Sequence, residues 1–326
     1  MRILVTGGTG FVGSRLLERL AQSGGHQLFS LRRYVTGRDD LAPAQDARAH
    51  AKIAFCDLRD PVAVKSAVRE IAPEVVIHLA SISPVSYSYD HPNEVMDVNL
   101  SGTINLAESC RRESSSLKHF LFASTSETYG NGPVPKREDT PQSPNSPYSV
   151  SKLAAEKYLL YMCQACKFPV TVLRAFNTYG RRDSSDYLVE RMIVQMLRGD
   201  VVRLGDPTPA RDLLYIDDHV EAYLACLANT QASIGEIFNV CTGDKLTVQS
   251  LAEKLRTMTG FKGEIIWNTI PPRPLDIHVM YGDPGKAKSA LRWEPKTKLE
   301  VGLSRTIEFW RKKLADSERA SRATTP

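Results

Sequence analysis

No stretch of this chain approaches the roughly 20 consecutive apolar residues that a membrane-spanning helix needs, so a membrane partner is not expected. The opening run, Met1-Arg2-Ile3-Leu4-Val5-Thr6-Gly7, is too short in apolar residues for a secretory signal and reads as a strand. Blocks of like charge are missing and the net charge is only +5, which argues against nucleic acid and favours an anionic small molecule. Cysteine is sparse: six residues scattered over 326, the pattern of free thiols in a reducing compartment, so a cytoplasmic location is expected. Cys163-Gln164-Ala165-Cys166 spells C-x-x-C, but no second ligand pair follows at a zinc-like spacing. That pair continues the periodic run Leu159-Leu160-Tyr161-Met162-Cys163, which suits a buried helix face, and no metal is expected. Internal repeats are absent.

What is present is an ordinary globular composition, 42% hydrophobic and 24% charged, on a chain long enough for one large or two fused domains. Short apolar runs at residues 2–6, 27–31, 53–56, 75–79, 119–123 and 170–174 read as strands. Helical periodicity falls between them, at 13–23, 61–71, 94–112 and 149–165. Strands alternating with helices imply an α/β fold with a parallel sheet covered on both faces. After Gly180 the alternation loosens. Helices are expected at 186–198, 218–228, 247–259 and 301–314, and strands at 201–204, 212–216 and 237–241. Residues 34–52 read as a loop with a short helix, and the small, polar tail 315–326 as disordered.

Gly7-Gly8-Thr9-Gly10-Phe11-Val12-Gly13 follows the first strand and opens the first helix. This spacing lets the backbone approach a pyrophosphate at a helix N-terminus, where unpaired amides and the helix dipole favour anions. Gly7, Gly10, Phe11, Val12 and Gly13 are therefore the expected dinucleotide contacts. At the end of the second strand an acid selects NAD, whereas arginine accommodates the 2′-phosphate of NADP. Leu31-Arg32-Arg33 carries no acid there, so NADP is expected, with NAD still possible. Asp57-Leu58, after the third strand, is placed to meet the adenine ring; Asp60 ahead of Pro61 suits a helix N-cap.

Tyr148 and Lys152 lie one helical turn apart in Tyr148-Ser149-Val150-Ser151-Lys152 and can face one site. A free tyrosine, with a pKa of about 10, is a poor base at neutral pH. A lysine ammonium nearby favours the phenolate; lowering its pKa by about three units takes roughly 4 kcal/mol. Such a pair suits proton removal from an alcohol whose carbon gives up a hydride. Ser124-Thr125-Ser126-Glu127 precedes it and adds a carboxylate.

Taken together, Gly7–Gly13, Asp57-Leu58, His78-Leu79-Ala80-Ser81, Asp97–Thr103, Ser124–Gly130, Tyr148–Lys152, Arg174–Gly180, Arg211–Asp218 and Arg273-Pro274 resemble the extended short-chain dehydrogenase/reductase family. Within it the resemblance is to the nucleotide-sugar epimerases and dehydratases. It implies a Rossmann doubly wound sheet over residues 1–176, with part of 211–243 returning to it, and a smaller α/β substrate domain over 177–314. It also implies a nicotinamide cofactor, a nucleotide-sugar substrate and a homodimer formed through the helices at 94–112 and 149–165. By the same resemblance Leu79, Ala80 and Ser81 line the cofactor and Asn99 braces the sheet. Asn177 bonds the diphosphate, Arg211 and Arg273 clamp it, and Arg203 touches the base. Thr125-Ser126-Glu127 is similar to the Thr-Ser-Glu of GDP-mannose 4,6-dehydratases. There Tyr148 takes the C4 hydroxyl proton, Thr125 holds that oxygen, Ser126 meets the substrate and Glu127 removes the C5 hydrogen as water leaves C6. A 4,6-dehydratase is thus the leading expectation. Epimerases, 4-keto-sugar reductases and UDP-glucuronate decarboxylases stay open, as does a non-catalytic NAD(P)-sensing protein.

Overall fold

The computed structural model describes residues 1–34, 49–181, 184–185 and 187–323. Seven strands form its main sheet: β1 (Arg2–Thr6), β2 (Gln27–Arg32), β3 (Lys52–Phe55), β4 (Val75–His78), β5 (His119–Thr125), β6 (Val170–Ala175) and β7 (Ile237–Val240). All pairings are parallel and the order is β7-β6-β5-β4-β1-β2-β3. Side chains alternate across a strand, so each one feeds two apolar layers. Ile3, Val5, Val75, Ile77, Leu121 and Leu173 face one way, joining Leu16, Leu17 and Leu20 of α1 (Phe11–Ser23). Leu4, Val76, Phe120, Phe122, Val170 and Val172 face the other. There they meet α2 (Pro61–Ile71), α3 (Gly102–Glu113) and α4 (Pro147–Cys166) through Val64, Val68, Leu106, Cys110, Ala155 and Leu159. Burying each such large aliphatic side chain contributes about 2 kcal/mol.

The order reverses between β1 and β4. Connections leave these neighbours toward opposite sides and open a crevice at their C-terminal ends, the place where a doubly wound sheet binds its ligand. The glycine loop follows β1, Leu79-Ala80-Ser81 follows β4, and Ser124-Thr125 closes β5, so three motifs arrive at one rim. Beyond Asn177 the strands are short. Asn177–Tyr179 pairs with Leu213–Tyr215, Val201–Arg203 with Glu264–Ile266, and Ala210–Arg211 with both Leu246–Thr247 and Val279–Met280.

Several boundaries differ from expectation. The helix expected over 94–112 is Pro92–Met96, a π-helical turn at Asp97–Ser101 and then α3. A π turn is a common distortion at functional sites, and this one carries Asn99. α4 starts at Pro147, not 149: Ser146 caps it, accepting from Ser149 N, and proline fits the first turn. The last helix, Leu299–Ala323, continues past 314 into the segment expected as tail. Leu303, Ile307, Trp310 and Leu314 nucleate its inner turns on the core, and adding turns of good helix formers costs little after that. Residues 324–326 lie outside the described ones, as do 35–48 of the expected loop.

Candidate active site

The glycine loop is shaped by what a side chain would strike. Gly7 has φ +72°, and a Cβ there would sit 2.8 Å from Ala80 N. At Gly13 a Cβ would come 2.1 Å from Gly7 O, so α1 packs against its own loop only because position 13 is bare. Gly10 caps α1 without a side-chain hydrogen bond, leaving first-turn amides for an anion. A Cβ at Gly10 would meet only Gly7 O, at 3.2 Å. The loop therefore fits a dinucleotide pyrophosphate. Phe11 and Val12 begin the helix, and Leu79 and Ala80 hold their amides on Thr6 O and Thr6 Oγ1.

The ribose end holds Arg32 at the last position of β2, followed by Arg33. Arg33 is half exposed and 3.8 Å from Glu94 Oε1, an acid brought in from a distant helix that sequence reading did not supply. The Asp57 carboxylate is gripped by Arg59 at 2.6 Å and 3.1 Å, which holds its pKa below the usual range. Leu58 points into the core beneath Gly102. Asp60 caps α2 through Val62 N and Ala63 N.

Thr125, Ser126, Tyr148 and Lys152 are all buried at the end of β5 and the first turns of α4. Thr125 Oγ1 accepts from Glu127 N at 3.2 Å and neighbours the Tyr148 hydroxyl. The Lys152 ammonium lies 4.2 Å from the centre of the Phe122 ring, and burial pushes its pKa down to about 7. Here one expectation fails. The Tyr148 pKa is raised, because desolvation of the phenolate outweighs every favourable neighbour. Among those neighbours the Thr125 hydroxyl, through its hydrogen bond, and the Arg181 guanidinium favour the phenolate. Arg181 is sandwiched between Phe11 of the glycine loop and Tyr187, its carbon 4.4 Å and 3.4 Å from the two ring centres.

Asn99 ties this end together. Its amide accepts from Ile82 N at 2.8 Å and donates to Ile82 O and to Ser151 Oγ, whose hydroxyl in turn donates to Tyr148 O at 2.7 Å. The residue expected to brace the sheet thus fixes the loop after β4 to the turn of α4 that carries Tyr148 and Ser151.

Glu127 sits on a 3-10 turn, Ser126–Tyr129, directly after β5. Its Oε2 is buried with no hydrogen-bond partner, and burial raises its pKa against the opposing charges of Arg273 and Arg211. Arg211 is itself buried, its guanidinium on Ala210 O and His278 O, and Arg273 is paired with Asp276 at 2.7 Å. Both expected clamps therefore converge on Glu127. Arg203 does not: it is exposed, with its backbone on Gln195. Asn177 lies at the start of its short strand beside Leu213. Sequence reading placed Tyr89 near the site without a role and missed Asp276; both share the field of Glu127 and Arg273. An acid three residues after Arg273 was a signal of that partnership.

A family profile described as GDP-mannose 4,6 dehydratase matches residues 4–306. The chain belongs to the extended short-chain dehydrogenase/reductase family of nucleotide-sugar epimerases and dehydratases. Among solved members, the Thermotoga maritima UDP-glucose 4-epimerase with UDP-glucose superimposes with TM-score 0.88 at 32% identity, over 96% of this chain and 100% of that one. The Thermus thermophilus UDP-glucose 4-epimerase complex with NAD gives 0.85 at 32%, over 95% and 99%. RMD from Pseudomonas aeruginosa, complexed with NADPH, gives 0.81 at 27%, over 96% and 99%. Family members of this kind are enzymes that use a nicotinamide cofactor, and the fold is the Rossmann arrangement expected. Among the described residues, no helix is long and apolar enough to cross a membrane. None of the six cysteines is paired, Cys163 and Cys166 included, and no cluster of metal-ligating side chains occurs among the described residues.

Proposed function

We propose that this family member is a nucleotide-hexose 4,6-dehydratase, with GDP-mannose the favoured substrate. The observation that carries the reading is Glu127: a buried carboxyl, its proton retained to higher pH by desolvation, with one oxygen unpartnered beside the tyrosine end of the site. Simple epimerisation at C4 needs one base and a ketose free to turn over. Dehydration needs a second acid–base group near C5 and C6, and its pKa works best close to the operating pH.

Gly7, Gly10 and Gly13 hold the dinucleotide, which, when bound, supplies a site that accepts a hydride and gives it back. Thr125 orients the C4 oxygen and Tyr148 takes its proton as the alcohol becomes a ketone. The ketone acidifies the C5 hydrogen. Glu127 removes that hydrogen, and the C6 hydroxyl leaves with a proton as water. A bound dinucleotide would supply the hydride that C6 regains, and with a proton returned to C5 the product would be the 4-keto-6-deoxy sugar, a net loss of one water. Arg211 and Arg273 hold the diphosphate, Ser126 and Asn177 complete the substrate contacts, and Arg203 reaches the base. Ser81 lines the cofactor with Leu79 and Ala80. Arg32 and Arg33 favour NADP, a choice supported by the absence of an acid at the end of β2.

The same reading takes residues 1–176 with part of 211–243 as the cofactor unit and 177–314 as the substrate unit. Two copies pair through the segments 94–112 and 149–165, the second of which exposes Val150 and Tyr161, in a reducing cytoplasm. Four-epimerisation is the second reading, favoured by the identity with two UDP-glucose 4-epimerases.

Incubation with GDP-, UDP-, dTDP- and CDP-hexoses without added reductant separates these. A 4-keto-6-deoxy product is expected; an epimer still oxygenated at C6 would overturn dehydration, and turnover only with added NADPH would mark a reductase. Glu127→Gln should keep cofactor binding and lose solvent deuterium exchange at C5. Undiminished exchange would remove Glu127 from the chemistry.

A further inference from the structure

Residues 271–276, Pro-Pro-Arg-Pro-Leu-Asp, form a strap that carries Arg273 and Asp276 to Glu127. Little apolar burial holds it. Leu275 is 73% exposed, and Ile270 just before the strap 42%. Its three prolines lack N–H groups, so the strap has few donors of its own. Leu275 also has φ +52°, a left-handed conformation that a branched residue adopts only when its surroundings enforce it.

The enforcing groups are three side chains from the other wall of the cleft, each donating to one of three consecutive carbonyls. Tyr89 Oη donates to Pro274 O at 3.0 Å, Asn145 Nδ2 to Leu275 O at 2.9 Å and Asn131 Nδ2 to Asp276 O at 3.2 Å. Tyr89 Oη also lies 3.3 Å from Asn145 O, a longer alternative acceptor for its single proton. Each donor belongs to a segment that already carries site machinery. Asn145 immediately precedes the cap of α4, which presents Tyr148, and Asn131 follows the turn that presents Glu127. Tyr89 lies on the short helix Val85–Asp90 after β4.

We propose that Asn131, Asn145 and Tyr89 are positioning residues that clip the strap across the cleft, so that Arg273 meets the diphosphate of the substrate at a fixed distance from Tyr148 and Glu127. The inference rests on the reading of Arg273 as a diphosphate clamp. Unlatched, the strap leaves Arg273 charged but no longer preorganised, and the penalty falls on diphosphate affinity. The cofactor site is built on the glycine loop, which contributes none of the three donors, and its affinity stays as it is.

Asn131→Ala with Asn145→Ala tests this by calorimetric titration of UDP, GDP, dTDP and CDP, and separately of NADP, with the thermal midpoint followed alongside. The double variant is expected to bind the preferred nucleoside diphosphate about tenfold more weakly, about 1.4 kcal/mol. NADP affinity and thermal midpoint should match the parent. Asn131→Gln, which keeps an amide donor on an exposed loop, should bind the diphosphate more tightly than Asn131→Ala. Unchanged diphosphate affinity in the double variant, with a clear loss in Arg273→Ala, would overturn the strap and leave the clamp standing. No loss in Arg273→Ala would remove both. A parallel fall in NADP affinity and thermal midpoint would reduce the two asparagines to structural residues and also overturn the proposal.

Discussion

Glu156 offers the sharpest test of how this site is supported. It lies on α4, one turn beyond Lys152, and is fully buried with Arg174 of β6, the two side chains being 0% and 1% exposed. Arg174 Nη2 donates to Glu156 Oε1 at 2.5 Å and Nε to Oε2 at 3.2 Å; Ser124 Oγ and Gln142 Nε2 donate to the same carboxylate. Glu156→Gln leaves a buried guanidinium without its counter-charge, a change that costs about 3–5 kcal/mol in comparable buried pairs. Two further effects follow. Ser124 loses its charged acceptor, loosening the strand end that presents Thr125. Lys152 loses the one neighbour that raises its pKa, so that pKa should fall below its present value of about 7. Urea denaturation of parent and variant measures the first effect. The double variant Glu156→Gln/Arg174→Met removes both charges and should recover more than half of the loss. A single-variant loss under about 1 kcal/mol, or a double-variant loss equal to the sum of the two singles, would refute the claim that the pair is energetically coupled.

Three buried histidines predict acid sensitivity. Burial pushes His78 down to about 3, and His119 and His219 to about 4. The unfolded chain takes these protons near pH 6.5 and the folded one does not, so their contribution is complete above that pH and is lost as pH falls toward 4. By pH 5 each costs about 2 kcal/mol, partly offset by Glu127 and Glu190, whose raised pKa values act in the opposite direction. In urea titrations at pH 7 and 5, His119→Gln should reduce the loss by about 2 kcal/mol; an unchanged loss would contradict this. Arg181 is expected to favour the Tyr148 phenolate. Arg181→Met should move the acid limb of the kcat/KM profile to higher pH while Arg181→Lys moves it less, and coincident profiles would count against that role.

Much of this enzyme is written in local order. The short continuous apolar runs at Ile3, Leu4 and Val5 or at Phe120, Leu121 and Phe122 mark strands covered on both faces, because adjacent side chains face opposite layers. Gly7, Gly10 and Gly13 mark the dinucleotide loop because spacing along the chain is spacing in the turn. Tyr148 and Lys152 share a helix face for the same reason. Less legible were the π turn at Asn99 and the helical continuation to Ala323. A local distortion and a polar extension leave no apolar periodicity to read.

The site's electrostatics lay further out of reach. The lysine one turn from Tyr148 suggested a lowered tyrosine pKa, yet the folded protein raises it, since burial acts on the phenolate more strongly than a helical neighbour does. Arg181, Glu94 and Tyr89 reach their partners from distant segments, and no motif announced the three donors that hold the strap. The sequence by itself determined the sheet, the glycine loop and the helical spacing of Tyr148 and Lys152, because those depend on periodicity and short-range spacing. Only the tertiary structure decided which charges face Tyr148 and Glu127 and what holds Arg273 in place, because desolvation and Coulomb forces depend on distance through space.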